Sequence, residues 1–200
     1  RAFIVRRAWR LLPVYVTAMA VFTVAALLLK PESQVLGHSW LAWTMLMNVA
    51  LQIENFGAVL GDDTFSIVHF WSLAAEWHFY LLLPLLLWTT RSLARSACLL
   101  IAIALATRLA FYFFDVSHNH AYAFTFARID SFAFGCLLAT PWAARLGRSS
   151  RWIALAGAAL FAVTMFNVAS ADILFKKLDW LRTFGYSVIA LSVAMMLVGV

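Results

Sequence analysis

The stretch HFWSLAAEWHFYLLLPLLLW, His69 to Trp88, is 20 residues long, and as a helix rising about 1.5 Å per residue it would reach about 30 Å, the thickness of a bilayer's hydrocarbon core. It nonetheless holds Glu76 and two histidines, His69 and His78. A carboxylate facing lipid at mid-depth costs about 2.5–3.5 kcal/mol, so Glu76 must look into a helical bundle rather than out of it. At about 100° per residue, His69, Ser72, Glu76 and Tyr80 fall on one face within roughly a quarter turn, and His78 points the other way. The segment therefore predicts a membrane-crossing helix with one polar stripe turned towards other helices. That stripe reads either as structural, tying helices together through Glu76, or as the wall of a reaction cavity.

The rest of the chain suits the same solvent. Of its 200 residues 64% are hydrophobic and only 12% charged, and the mean hydropathy is +0.88, outside the range of a soluble domain. Further apolar runs near spanning length are Leu11–Leu29, Ala97–Phe114, Ala123–Pro141, Trp152–Ala169 and Thr183 to the end, with a shorter run over Ser39–Ile53. None alternates with the two-residue period of a membrane barrel, and no repeat or linker divides the chain. The expected fold is all-α, a polytopic transmembrane helical bundle of about six spans plus one short non-spanning or re-entrant segment. It would form a single membrane-embedded domain over residues 1–200. The chain begins with Arg1 and ends inside an apolar run, so it reads as a piece truncated at both ends.

The net charge of +6 is gathered between the apolar runs, a pattern of topology signals rather than of a nucleic-acid surface. Arg1, Arg6, Arg7 and Arg10 precede the first run, Arg91 and Arg95 follow the His69 segment, and Arg145, Arg148 and Arg151 follow the Ala123 run. All three clusters can be cytoplasmic if Ser39–Ile53 does not cross, and the acidic loop after it, with Glu54, Asp62 and Asp63, then lies outside. The alternative places Arg91 and Arg95 outside. Lys176, Lys177 and Arg182 count to the outside, against the rule. In this topology Arg7 and Arg10 stand at the cytoplasmic entrance of the first span, and Glu76 lies about 10 Å below the outer end of its helix.

Two other stretches carry charge. In TFARIDSFAFG, Thr125 to Gly135, Arg128 and Asp130 are about 200° apart on a helix and need separate partners. Glu76 is one partner for Arg128, and snorkelling near a helix end is the other reading. Gly135 would let another helix come close. In RRAWRLLP, Arg6 to Pro13, Arg7 and Arg10 share one face. They suit anchoring to anionic lipid, and their planar forks also suit phosphate oxygens. Cys98 and Cys136 read as buried structural thiols. His118 and His120 lie in a loop without a metal-site ligand set, so no metal is expected.

In this order the three stretches resemble the acyltransferase-3 family of integral membrane O-acyltransferases. RRAWRLLPVY is similar to that family's basic RxxR helix entrance. HFWSLAAEWHFYLLLPLLL resembles its most recognisable signature, matched by Trp71, Ser72, Leu73, Glu76, Phe79, Tyr80 and Pro84. ARIDSFAFGCLLA is similar to its later Arg-x-Asp helix. The resemblance covers Arg1 to about Ala139. It implies a bacterial inner-membrane enzyme that moves an acyl group, often acetyl, from acyl-coenzyme A to a hydroxyl of a carbohydrate, commonly in a surface polysaccharide or lipopolysaccharide. Acyl-CoA would be the co-substrate, with no metal and no nucleic-acid partner. Arg7 and Arg10 would meet the coenzyme phosphates, and Glu76 would orient or relay a proton. His69, Trp71, Ser72, Tyr80, Arg128 and Asp130 would line the substrate site.

The family's catalytic histidine, in an early helix, has no match among the five histidines present. Acylation of an alcohol needs a base, so the 200-residue piece is expected to be inactive alone. Two rival functions remain. A proton-coupled transporter would show inverted repeats and broken helices in corresponding halves, and none is legible. A non-catalytic scaffold or sensor would have lost the arginine pair.

Overall fold

The computed structural model describes residues 2–31, 34–52, 68–116, 122–146, 150–170 and 180–198. Those residues form helices and turns and no strand. The chain divides into two compact units, one of Arg1–Pro84 with Ala123–Thr125 and the other of Leu85–Tyr122 with Phe126–Val200.

The first unit begins with α1, Ala2–Leu29, 28 residues with Pro13 inside. Two short helices follow, α2 (Gln34–Trp43) and α3 (Met47–Ala50). Between them Met45 takes a left-handed φ of 57°. The amide of Leu46 reaches the Leu41 carbonyl and that of Met45 the Ala42 carbonyl, both at 2.8 Å, the paired closure of a Schellman motif. Glycine ordinarily supplies that conformation, so the sequence does not announce the reversal. A 3₁₀ turn, Val68–Phe70, leads into α4, Trp71–Thr90. The apolar core joins Tyr15 and Met19 of α1, Leu41 and Ala42 of α2, Met47 of α3 and Ala74 of α4. The Tyr15 hydroxyl donates to the Ala42 carbonyl, tying α1 to the end of α2.

The second unit contains α5 (Leu93–Phe113), capped by Ser92, whose hydroxyl accepts from the Arg95 amide at 3.4 Å. After it come α6 (Thr125–Arg128), whose last three residues belong to this unit, α7 (Asp130–Leu138) and α8 (Pro141–Ala144). Then follow α9 (Ser150–Ser170), a π-helical turn at Leu181–Gly185, and α10 (Tyr186–Val198). α7 packs on α5 and α10, and α9 packs on α10.

Among the described residues three helices are long and apolar enough to cross a membrane: Phe3–Leu29, Leu93–Phe113 and Ser150–Ala169. α4 has the length, at 20 residues, but Glu76 and His78 dilute its apolar character. The expected span over Ala123–Pro141 is instead divided among α6, α7 and the start of α8, with Ile129 between the first two. The run from Thr183 to the end yields a helix of 13 residues after the π-helical turn. Of the Ser39–Ile53 run, residues 39–52 are described and fall in α2, α3 and the turns beside them, and neither helix is long enough to cross.

Two packing expectations are corrected. Gly135 is exposed and a Cβ there would meet nothing within 4 Å, whereas at Gly157 a Cβ would lie 2.7 Å from the Ser192 carbonyl oxygen and the Met195 Cβ. The close approach of two helices is thus between α9 and α10. Gly157→Ala is expected to lower stability by about 1–3 kcal/mol, because a backbone carbonyl cannot yield as a side chain can. Thermal unfolding in detergent would check it, and an unchanged midpoint would mean the helices separate freely. Cys98 is exposed on α5 rather than buried, while Cys136 is half-buried, and neither forms a disulfide.

Candidate functional site

The N-terminal halves of α1 and α4 line a cavity of about 340 Å³, with Arg7, Arg10, Tyr15, Glu76 and Tyr80 as its polar wall and Leu11, Val14 and Leu73 as its apolar one. Three-residue spacing on α1 and four-residue spacing on α4 put each polar set on one face of its helix. Tyr80 donates its hydroxyl to Glu76 Oε1, fixing the carboxylate. The Arg7 guanidinium lies 5.2 Å from the Tyr80 ring centroid and 5.7 Å from that of Phe3, a geometry that holds the cation over the ring face. Among the described residues no ion pair joins Arg7 or Arg10 to Glu76. Two cations and a carboxylate therefore face the same cavity without neutralising one another.

This corrects the depth assignment. The expected topology set the arginines at the cytoplasmic entrance and Glu76 towards the outer end. Phe70 instead meets Tyr15 and Phe22 at centroid distances of 5.5 and 6.3 Å, while Tyr80 meets Phe3 at 6.1 Å. The two helices run antiparallel with Arg7 and Arg10 level with Glu76 and Tyr80. Of the predicted stripe, Glu76 and Tyr80 reach the cavity. His69 is exposed in the 3₁₀ turn, and Ser72 donates to the His69 carbonyl at 3.2 Å. Trp71 packs against the apolar core.

A second polar group in the same unit escaped sequence reasoning. His78 Nδ1 lies 3.1 Å from Asn48 Nδ2 and 3.2 Å from Thr125 Oγ1, and Asn48 also donates to Thr125. Asn48 and Thr125 are buried. The face opposite Glu76 is thus occupied by a polar tie, linking α3, α4 and the start of α6. A lone asparagine in an apolar run was the available signal.

The second unit holds a fully enclosed ion pair. Arg108 Nη2 and Asp130 Oδ2 are 2.8 Å apart, with side-chain exposures of 1% and 0%. Arg108 donates further to the Thr183 carbonyl at 2.8 Å, to the Ala127 carbonyl and to Ser187, and the Ser187 hydroxyl donates to Asp130. Arg128 turns away from this pair, as the 200° separation requires. Its guanidinium carbon lies 3.9 Å from the Tyr186 ring centroid and 5.3 Å from that of Tyr122. Glu76, its suggested partner, belongs to the other unit. Arg108 was missed although a single charge in an apolar run marks a buried partner.

Among the described residues no three His, Cys, Asp or Glu side chains gather into a metal site, and His118 and His120 lie outside those residues.

A chain whose described residues form helices and turns, with bilayer-length helices among them and a cavity holding unneutralised charges beside one, is an integral membrane protein with an internal polar site. A family model described as an acyltransferase domain matches residues 1–200. The chain belongs to the acyltransferase-3 family. The match runs beyond Ala139, where the legible motifs end. Neither a curated protein nor a solved structure matches it.

Proposed function

We propose that the protein transfers an acyl group from acyl-coenzyme A to a carbohydrate hydroxyl, in a bacterial inner membrane and on a surface glycan. Carrying this reading is the cavity that brings Arg7, Arg10, Glu76 and Tyr80 together. Arginine forks facing a cavity suit a ligand rich in phosphate oxygens. Lipid anchoring explains them less well, since they lie level with the middle of a largely apolar helix. In the reaction the acceptor oxygen attacks the thioester carbonyl, a C–O bond forms, and the C–S bond breaks. The hydroxyl proton passes to a base and the coenzyme leaves as its thiol. The family's histidine would supply that base. Glu76, held by Tyr80, would orient it or relay its proton.

Acetyl-CoA binding by the membrane-extracted protein tests the donor half. The Arg7→Ala, Arg10→Ala double variant should bind at least about 100-fold more weakly, since each charge-assisted hydrogen bond contributes about 1.5–3 kcal/mol. Equal binding by both proteins would remove the arginines from the donor site. No binding by either would favour a transporter or scaffold.

A further inference from the structure

The apolar composition of α4 does little to fix its rotation about its own axis. Leu81, Leu82, Leu83, Leu85, Leu86 and Leu87 point in every direction at about 100° per residue, so turning the helix exchanges one apolar face for another. Among nearly interchangeable apolar positions a single polar one selects the register, as a lone asparagine does in a coiled-coil seam. Glu76 does not supply that selection. Its bond comes from Tyr80, one turn away on the same helix, and turns with α4. The guanidinium of Arg7 reaches the Tyr80 ring from α1 at 5.2 Å, but a ring face is a broader target than a hydrogen-bond acceptor.

The tie at His78 does reach other segments. His78 stands two residues from Glu76, about 3 Å along the helix axis and about 200° around it. Its Nδ1 lies 3.1 Å from Nδ2 of Asn48 on α3 and 3.2 Å from Oγ1 of Thr125 at the start of α6. An amide nitrogen only donates, so Nδ1 accepts, and Asn48 holds the ring and the threonine hydroxyl at once. Asn48 and Thr125 are buried, where hydrogen bonds are stronger and costly to leave unmade. Turning α4 by one residue, about 100°, would carry His78 off both partners and Glu76 out of the cavity together.

We propose that His78, Asn48 and Thr125 set the rotation of α4 and thereby hold Glu76 in the cavity with Arg7 and Arg10, as positioning residues for the reaction. Only the reference to the reaction rests on the acyl-transfer reading. The rotation does not.

A double-mutant cycle tests the coupling. In membranes containing the whole protein, His78→Leu should lower acyl transfer per folded molecule about 10- to 100-fold, the loss from a small misplacement of a reacting group. Acetyl-CoA binding should stay close to that of the unaltered protein. In the Glu76→Gln background the same substitution should lower the rate little further, because the group it positions is already gone. His78→Asn sets an amide oxygen close to the place of Nδ1 and should restore most of the rate. If His78→Leu does not fold, Thr125→Val keeps the shape, removes one partner and should lower the rate severalfold by the same route. Full additivity with Glu76→Gln, or an unchanged rate per folded molecule, overturns the proposal.

Thiol labelling reads the rotation without any acyl transfer. With Cys98→Ala and Cys136→Ala in place, Glu76→Cys in the membrane-extracted protein should react with a negatively charged methanethiosulfonate, because Arg7 and Arg10 favour a thiolate beside them. Adding His78→Leu should slow that reaction about tenfold or more. Equal labelling rates with and without it overturn the proposal. Absence of both acetyl-CoA binding and acyl transfer would sink the acyl-transfer reading alone, and the labelling would still decide the rotation.

Discussion

Asp130→Ala should leave little folded protein. The substitution strips the carboxylate from Arg108, whose guanidinium is enclosed with it, and an unpaired buried charge destabilises by about 3–5 kcal/mol. That is a large share of the roughly 5–15 kcal/mol by which a domain is folded. The expected readout is a steep fall in monodisperse protein after detergent extraction and a lowered unfolding midpoint. The double variant Arg108→Met, Asp130→Leu should recover most of the loss, because apolar groups of similar volume replace a buried pair with little penalty. A double variant as unstable as the single one would show that other bonds of Arg108, which only the double variant removes, matter as much as the ion pair. The stabilising contacts would then be those from Arg108 to the Ala127 and Thr183 carbonyls.

Those same two carbonyls lie where two of the expected spans depart from one regular helix. Hydropathy treats Ala123–Pro141 and Thr183 onward as continuous apolar runs, yet the first is interrupted at Ile129 and the second opens with a π-helical turn. Arg108 bonds a backbone carbonyl beside each irregularity. A side chain that supplies donors to backbone groups lets a helix depart from regular pairing where lipid would not. Periodicity within one segment cannot report a partner on another.

The cavity between α1 and α4 was more readable because its parts are local. Glu76 and Tyr80 are one turn apart, as are Arg7 and Arg10, so a helical wheel assigns their faces without tertiary information. Their shared depth was not readable. The positive-inside rule concerns loops and helix ends, whereas Arg7 and Arg10 stand inside a 28-residue helix whose antiparallel neighbour brings Glu76 beside them. Charge clusters mark topology only when they lie outside the spans.

Glu76→Gln should lower acyl transfer by about 10²–10⁴-fold in membranes containing the whole protein, the range lost with a positioned proton-transfer group. Glutamine keeps the volume and can still accept from Tyr80, so acetyl-CoA binding should remain close to that of the unaltered protein. Tyr80→Phe removes only the hydroxyl that fixes the carboxylate and should lower the rate about tenfold or more, the effect of one hydrogen bond to a charged group. A purely structural Glu76 would give another pattern, with both variants lowering the unfolding midpoint and the rate per folded molecule unchanged. The comparison also separates orientation from charge. If Tyr80→Phe were as damaging as Glu76→Gln, the position of the carboxylate rather than its ionisation would set the rate. If Tyr80→Phe were silent, the proton would pass through Glu76 without the tyrosine's help. Either result decides what the polar stripe of α4 contributes, because Glu76 and Tyr80 are the stripe residues that face the cavity.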